Sequence, residues 1–407
     1  MPGGTFNPFD ATQARDAWDL LRQLREEGPL APIAGGMHYV PRYAECRELL
    51  RDVASFSNAS GFKEPGVVIP PEDRLLGELD PPRHTLVRRV MVTALTPTVV
   101  RGAETFIRET ATELLAAVAV PGAVDLVPAF TVPLPNRVTV HLLGLPPEDA
   151  TTIAGWAKGL MESGFPATNR SERGEGFAQA FPDFAGYIDD TIHRRAAEIS
   201  SGTSEHQDVL SRLLALEVDG ERLPHRQVRA LVRNLITGGL TTTSQLLGNL
   251  LHQLLSLPGL EDQLRADDAL LAPAIEESLR LAPPILFIPR GCVHDTTVGG
   301  SAVTSGQRVV VGTASANRDE RVFSDADQFR LDRAEVDQHL TFGAGPHVCP
   351  GATLARTVTR VGVSVFLATF APGSVRLADD FVYENVPTFF ECGPRRLPIE
   401  TALPSPG

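Results

Sequence analysis

Cysteine is scarce in this chain. Four residues in 407, at positions 46, 292, 349 and 392, are too few and too scattered for a disulfide framework, so a reducing cytoplasm is the expected setting. No apolar run reaches membrane length, and the opening MPGGTFNPFDATQARDAWDLLRQLREEG lacks the basic-then-apolar order of a signal peptide. Positive charge is short as well. Lys and Arg number 37 against 50 Asp and Glu, a net of −13, which argues against nucleic acid or an anionic membrane as partner. Internal repeats and low-complexity segments are missing too.

What remains is an ordinary globular composition, 43% hydrophobic and 21% charged, able to bury a sizeable core. Polar breaks at Ser57–Gly66, Thr168–Gly176, Ser200–His206 and after Ala402 read as surface loops. Residues 1–407 are therefore expected to form a single large domain, with about 1–10 and 403–407 as flexible termini. Helix spacing covers most of the chain, for example Ala103–Ala119, Phe184–Ile199 and Ala352–Phe370. Strand-like runs are short: HYV near 38, RVVVGT near 308 and the C-terminal FVYENVPTFF. The expected class is mainly α with a minor β region (α+β).

One cysteine has unusual surroundings. HLTFGAGPHVCPGATLAR, His339 to Arg356, sets three glycines and two prolines around Cys349. Leu354, Val358, Val361 and Val365 then recur at helical spacing, which predicts a buried helix from near residue 350, with Pro350 in its first turn. The helix dipole and free N–H groups at such a mouth favour a thiolate. Gly343, Gly345 and Gly351 allow a close backbone approach or a positive φ. A lone cysteine is more often a buried thiol beside a turn. Zinc would need flanking ligands, and none are present. His347 as the base of a thiol nucleophile is a weak pairing, because residues i and i+2 of a loop need not converge.

The pattern Phe342-x-x-Gly345-x-His347-x-Cys349-x-Gly351-x-x-Leu354-Ala355-Arg356 resembles the cysteine loop of the cytochrome P450 family, haem-thiolate monooxygenases. The similarity to soluble bacterial members runs over nearly the whole chain. It implies that Cys349 is the axial ligand of a haem b iron, its thiolate pushing electron density toward O–O cleavage, with Phe342, Gly343 and Gly351 as further haem contacts. Glu277 and Arg280 lie three apart on a helix and share a side. By resemblance they form a structural network with Arg333. In DPPRHTLVRRV, Asp80 can cap a helix on which His84 and Arg88 share a face. The resemblance implies that His84, Arg88, Arg290 and His347 meet the haem propionates.

His225 to Leu257 runs without proline and has TGGLTTTSQ at its centre. Two adjacent glycines cost about 1 kcal/mol each in a helix interior. Close packing against another helix is one reason for them, and room for haem and dioxygen is the other. The family's central pattern is Ala-Gly-x-acid-Thr. Here Gly238, Gly239, Leu240, Thr241 and Thr242 occupy it, so the oxygen-side threonine is Thr242 and Thr241 replaces the acid. A hydroxyl passes protons along a chain but does not exchange them near neutral pH as a carboxylate does. A water chain along Thr241–Thr243, a substrate group, or peroxide in place of oxygen and electrons would each fill the gap. Pro350 is a second departure: it removes an N–H that could bond the sulfur, which predicts a more electron-rich thiolate and a lower haem potential.

By position, Asn234, Thr237, Gly238, Leu286, Ile288, Phe389 and Phe390 are expected to line the substrate pocket, under a roof from Phe56–Val68 and from the helices around Trp156–Phe184. Apolar walls with few polar anchors suit a lipophilic small molecule. Nothing reads as a flavin or iron–sulfur domain, so electrons are expected from a separate ferredoxin and its reductase, docking near Arg356 and Arg89. The expected activity is a monomeric monooxygenase acting with O2, with Thr242 and Thr241 catalytic. A peroxygenase or isomerase, and a non-catalytic haem or ligand carrier, are the alternatives.

Overall fold

The computed structural model describes residues 6–10, 18–59, 61, 69–163, 176–203, 207–218, 220–388 and 390–401. The chain is mainly helical with a minor sheet. The helices that matter below are α1 (Arg83–Ala94), α2 (Glu104–Ala116), α3 (Pro133–Leu143), α4 (Ala150–Ser163), α5 (Pro182–Ser200), α6 (His225–Ser256), α7 (Leu271–Leu281) and α8 (Ala352–Thr369).

α6 is the axle. Its 32 residues begin directly after Pro224, and Leu231, Ile236, Leu247, Leu250 and Leu251 are fully buried. It packs against α3, α4, α5, α7 and α8, while α8 lies along α2. Wrapped on all sides, α6 needs no clean polar face. No helix among the described residues is long and apolar enough to cross a membrane.

The larger sheet joins β1 (Ala31–Ile33), β2 (Met37–Val40), β3 (Phe56–Ser57), β4 (Ile288–Cys292) and β5 (Arg308–Val311) in the order β1-β2-β5-β4-β3. β5 runs parallel to β2 and antiparallel to β4, with Val309 opposite Arg290. This places Arg290 and Ile288 on a strand buried between neighbours.

Several local expectations are corrected. Residues 381–388, the described part of FVYENVPTFF before its last residue, form no strand. Pro387 lacks an N–H, the Asn385 side chain accepts from Gly393 N, and Tyr383 Oη donates to Asn249 Oδ1 of α6, leaving the isolated bridge Asn385–Pro394. The C-terminal strand is Pro398–Thr401, in a sheet with Val375–Leu377 and Gly122–Asp125. Asp80 does not cap α1. Its carboxylate accepts from Ser57 Oγ and Asn58 N, tying α1 to β3. Residues 6–10 are not a loose terminus where Phe6 packs edge-on against Tyr39 and Phe9 against Phe287. Residues 1–5 and 402–407 lie outside the described residues, as do 62–68 and 164–175 of the expected roof.

Behind the cysteine loop, Glu277, Arg280 and Arg333 are all buried. Glu277 accepts from Arg280 Nε and Nη2 at 2.8 Å, from Arg333 Nε at 3.0 and 3.1 Å, and from Arg330 N at 3.0 Å. Their remaining guanidinium N–H groups donate to the carbonyls of Asn317, Ser324, Asp325, Ala326 and Gln328. Removing the carboxylate strands two buried cations, so Glu277→Gln is expected to cost about 3–5 kcal/mol of stability. Asp19→Asn, which breaks an exposed pair with Arg22, should cost less than about 1 kcal/mol. Denaturant midpoints of the two variants check both figures.

Candidate functional site

Cys349 faces a cavity rather than the packed core. Its side chain opens on that space inside the fold and not on bulk water, whereas Cys46, Cys292 and Cys392 are buried. Its loop turns on two glycines in the left-handed region, Gly343 at φ 77° and Gly345 at φ 71°. A β-carbon on Gly345 would lie 2.9 Å from Arg51 Cα, so that position also needs the missing side chain. Cys349 N donates to Phe342 O at 2.9 Å, closing the loop.

The helix mouth sits slightly later than the sequence predicts. α8 starts at Ala352 with Gly351 as its N-cap, so Pro350 precedes the helix. The net electrostatics also differ from expectation. Burial pushes the Cys349 thiol up, and the Gly351 and Ala352 N–H groups and the Arg88 and Arg356 charges only partly pull it back. A helix terminus alone does not hold this sulfur as a thiolate; a bound cation would.

Two adjoining cavities, of about 220 and 310 Å³, are both lined by Cys349, His347, Phe342, Asn234, Gly238 and Thr242. They separate the cysteine loop from the centre of α6. His84, Arg88 and Gly351 line the smaller one, and Thr237, Ile288, Arg290, Gly343 and Phe390 the larger. A bigger cleft of about 600 Å³ opens elsewhere, around His252 and Arg318, and contains none of the predicted residues.

Two predicted residues are not in this cavity wall. Leu286 lines only a small pocket with Phe6, Trp18 and Tyr39, whereas its neighbour Ile285 faces the cavity and Phe287 lies between the two spaces and lines both. In an extended segment adjacent side chains take opposite faces, and position alone did not give the phase. Thr241 lines neither cavity; its Oγ1 donates to Thr237 O at 3.1 Å. Phe389 lies outside the described residues. The two glycines of α6 divide the two reasons given for them. A β-carbon on Gly239 would sit 3.2 Å from Thr139 Oγ1 of α3, a helix–helix contact at the edge of the smaller cavity, while Gly238 fronts both cavities.

The positive end of the cavity is built for an anion. The His84 and His347 rings lie 3.8 Å apart, and the buried Nε2 atom of each has no hydrogen-bond partner. Burial and then Arg88 push His84 down to about 4, and burial, His84, Arg290 and Arg88 push His347 down to about 3. Arg290 is itself driven down to about 10 by burial. Two orphaned donors-in-waiting beside two guanidiniums fit a ligand with two carboxylates.

Arg356 is not free to serve a partner surface. It grips Glu276 through Nε and Nη2 at 2.6 and 2.7 Å and lies over the Phe342 ring. Burial favours the neutral acid, but hydrogen bonds from Arg356 and His339 hold the Glu276 carboxyl at about 2. Glu276 and Asn317 went unnoticed in the sequence. Asn317 Oδ1 accepts from Leu340 N and its Nδ2 donates to Thr341 Oγ1, and no local pattern announces such long-range ties.

A cysteine on a glycine loop, an anion cradle beside it and a glycine–threonine helix opposite define a haem-thiolate protein. The comparisons agree. A family profile described as cytochrome P450 matches residues 164–374. The chain is 31% identical to the erythromycin C-12 hydroxylase of Saccharopolyspora erythraea, over 94% of this chain and 93% of that protein. It is 32% identical to the cyclomarin C epoxidase CymV of Salinispora arenicola, over 90% and 92%. The solved structure of cytochrome P450 CYP109Q5 from Chondromyces apiculatus superposes with a TM-score of 0.86, at 29% identity over 98% of this chain and 99% of that one. The chain belongs to the cytochrome P450 family and is a monooxygenase, an oxidoreductase with a haem-thiolate cofactor.

Two outcomes follow from this geometry. In the unfolded chain His84 titrates near its ordinary 6.5 and in the folded apoprotein near 4, so the unfolded state binds more protons between those values. Apoprotein stability should therefore fall as pH drops from 6.5 to 4, by up to roughly 3 kcal/mol from this group; His84→Gln should flatten that slope in denaturation measured at pH 7 and 4.5. Gly351 and Ala352 supply N–H groups to the sulfur and Pro350 none. Pro350→Leu is expected to raise the haem potential in a redox titration.

Proposed function

We propose that this monooxygenase inserts one oxygen atom from O2 into an apolar small molecule, with electrons from a separate ferredoxin and its reductase. The prosthetic group is haem b, and the protein works as a cytoplasmic monomer. The observation that carries the reading is the shared cavity: Cys349 on one side, Gly238 and Thr242 on the other, and walls of Met161, Leu246, Ile285, Phe287, Ile288 and Phe390. Such walls, with Asn234, Thr237 and Thr242 as polar points, suit a lipophilic substrate. The relatives that act on erythromycin and cyclomarin C support a natural product of that kind.

In this mechanism the haem, when bound, supplies oxygen activation. Cys349 would hold its iron through the sulfur, and His84, Arg88, Arg290 and His347 would hold and orient its two carboxylates. Phe342, Gly343 and Gly351 line the same space. Thr242 Oγ1, donating to Gly238 O at 2.5 Å, keeps a hydroxyl at the cavity side of α6 where a proton can be held. The apolar walls exclude water. Arg89, exposed on α1, takes the partner-facing role first given also to Arg356.

Turnover of candidate apolar substrates tests the reading. Ferredoxin, reductase and NAD(P)H together should give product, and peroxide alone much less. Equal or faster turnover with peroxide would move the assignment to a peroxygenase. A substrate-induced shift of the haem band with no product from either source would indicate a binding protein. Reduced protein should form a carbonyl adduct with the red-shifted thiolate band, and Cys349→Ser should abolish it.

A further inference from the structure

Thr241 stands where an acid would be expected, but a carboxyl from a distant part of the chain lies against it. Glu391 is only 3% exposed and follows Phe390, which lines the larger cavity. Its backbone is held from two sides. Glu391 bridges Ile285, and Cys392 N donates to Pro284 O at 3.1 Å. On the other side Cys392 O accepts from Asn249 Nδ2 at 3.0 Å. Gly393 is so close to α6 that a β-carbon there would lie 2.4 Å from Gln245 Cγ. The turn is thus clamped onto the face of α6 that carries Thr241, Gln245 and Asn249 at four-residue spacing.

The carboxyl in this clamp is under-satisfied. Its Oε1 is buried without a hydrogen-bond partner, as are Gln245 Oε1 and Thr388 Oγ1 beside it. Burial pushes the Glu391 carboxyl up; the side chains of Gln245, Thr388 and Thr241 draw it back only in part. It forms no salt bridge among the described residues, and the neighbours that act on it most strongly include no cation. α6 brings only the uncharged Thr241 and Gln245, and α4 brings Glu162, a like charge that raises it further. Glu162 is exposed and pairs with Lys158 at 3.8 Å, so it marks a side open to water. A buried carboxyl costs free energy unless it is protonated, so burial here favours the acid form, which has a proton to give.

We propose that Glu391 supplies the proton-exchanging carboxyl that position 241 lacks, acting through the Thr241 hydroxyl on the cavity at Thr242. The Glu391 O–H bond breaks as its proton goes to Thr241 Oγ. The proton Thr241 carried, released from its bond to Thr237 O, leaves toward the cavity on the Thr242 side. The Glu391 carboxylate then takes a proton from solvent on the Glu162 side. One proton enters the cavity for each one taken from water, and no electron moves. This inference rests on the monooxygenase reading above.

Glu391→Gln keeps the size and can still donate a hydrogen bond, through a new amide N–H, but cannot exchange the proton. The haem-loaded variant should keep its red-shifted carbonyl band and its substrate-induced shift. Its product per NAD(P)H should fall roughly ten-fold or more, the difference appearing as peroxide, and the pH profile of product formation should lose a limb. Glu391→Asp should recover part of the yield, and adding Thr241→Asp to Glu391→Gln should recover more. A second readout needs no turnover. Apoprotein near pH 6 should show a protonated-carboxyl infrared band that shifts in D2O and is missing in Glu391→Gln. If Glu391→Gln does not fold, Thr241→Ala should uncouple in the same way while keeping that band. Normal coupling with an unchanged pH profile in Glu391→Gln, or no such band in the parent, overturns the proposal. A parent that gives no product with NAD(P)H counts against the monooxygenase reading instead, and the infrared band then decides Glu391 alone.

Discussion

The carboxylate of Glu277, buried between two guanidiniums, is the constraint on which the site depends. Three charges removed from water cost several kcal/mol each, and their attraction recovers this only when every donor is used. Here every such demand is met by the chain itself, because Arg280 and Arg333 donate to five carbonyls between Asn317 and Gln328. What this arrangement gains is position. Asn317, pinned through its carbonyl, turns its amide to Leu340 N and Thr341 Oγ1 at the start of the cysteine loop, and Thr341 Oγ1 also donates to Leu279 O. One residue before Glu277, Glu276 takes Arg356 from the helix beyond the loop and His339 from before it. Both ends of the segment that presents Cys349 are therefore tied to a single turn of α7.

The parts of this assembly visible in the sequence are those whose chemistry is contiguous. Cys349 with its glycines, Glu277 with Arg280, and His84 with Arg88 each announce themselves within a few residues. α6 and α8 are legible because helical spacing persists over many turns. The rest depends on contacts the chain makes far from home. Ile285 and Leu286 are equally apolar, and only the packing of that extended segment against Phe6 and Trp18 selects which one faces the cavity. Asp80 looks like a helix cap from its neighbours, yet Ser57 and Asn58 claim it. FVYENVPTFF has strand composition, but a proline and side chains bonded to α6 take it out of the sheet. Glu391 carries no local signal at all, since its meaning lies in Thr241, 150 positions earlier.

The threonine-rich centre of α6 is less costly than its composition suggests. Thr237, Thr241 and Thr242 each return a hydroxyl to the carbonyl four residues back, so none needs an outside partner to be satisfied. That leaves their oxygens as acceptors, able to take a proton while giving one. A carboxylate in the same helix would have needed a cation or water to be tolerated. Placing the acid on a clamped turn beside the helix moves its desolvation cost to the C-terminal segment and leaves α6 free to pack on every side.

The anion cradle carries a cost of a different kind. Arg88, Arg290, His84 and His347 are gathered in a poorly hydrated space where burial disfavours charge on all four and the guanidiniums disfavour it further on the histidines, and Asp80, already held by Ser57 and Asn58, offers only partial relief. Such a cluster lowers the stability of the empty fold. A ligand that brings two carboxylates reverses the sign: the histidines gain acceptors, the arginines gain counter-charges, and binding only to the folded state shifts unfolding by mass action. The same ligand's metal cation would offset the burial that keeps the Cys349 thiol protonated. Cradle and thiol are thus strained in the same sense and relieved by the same molecule, which makes the prosthetic group part of what completes the fold as well as what performs the chemistry.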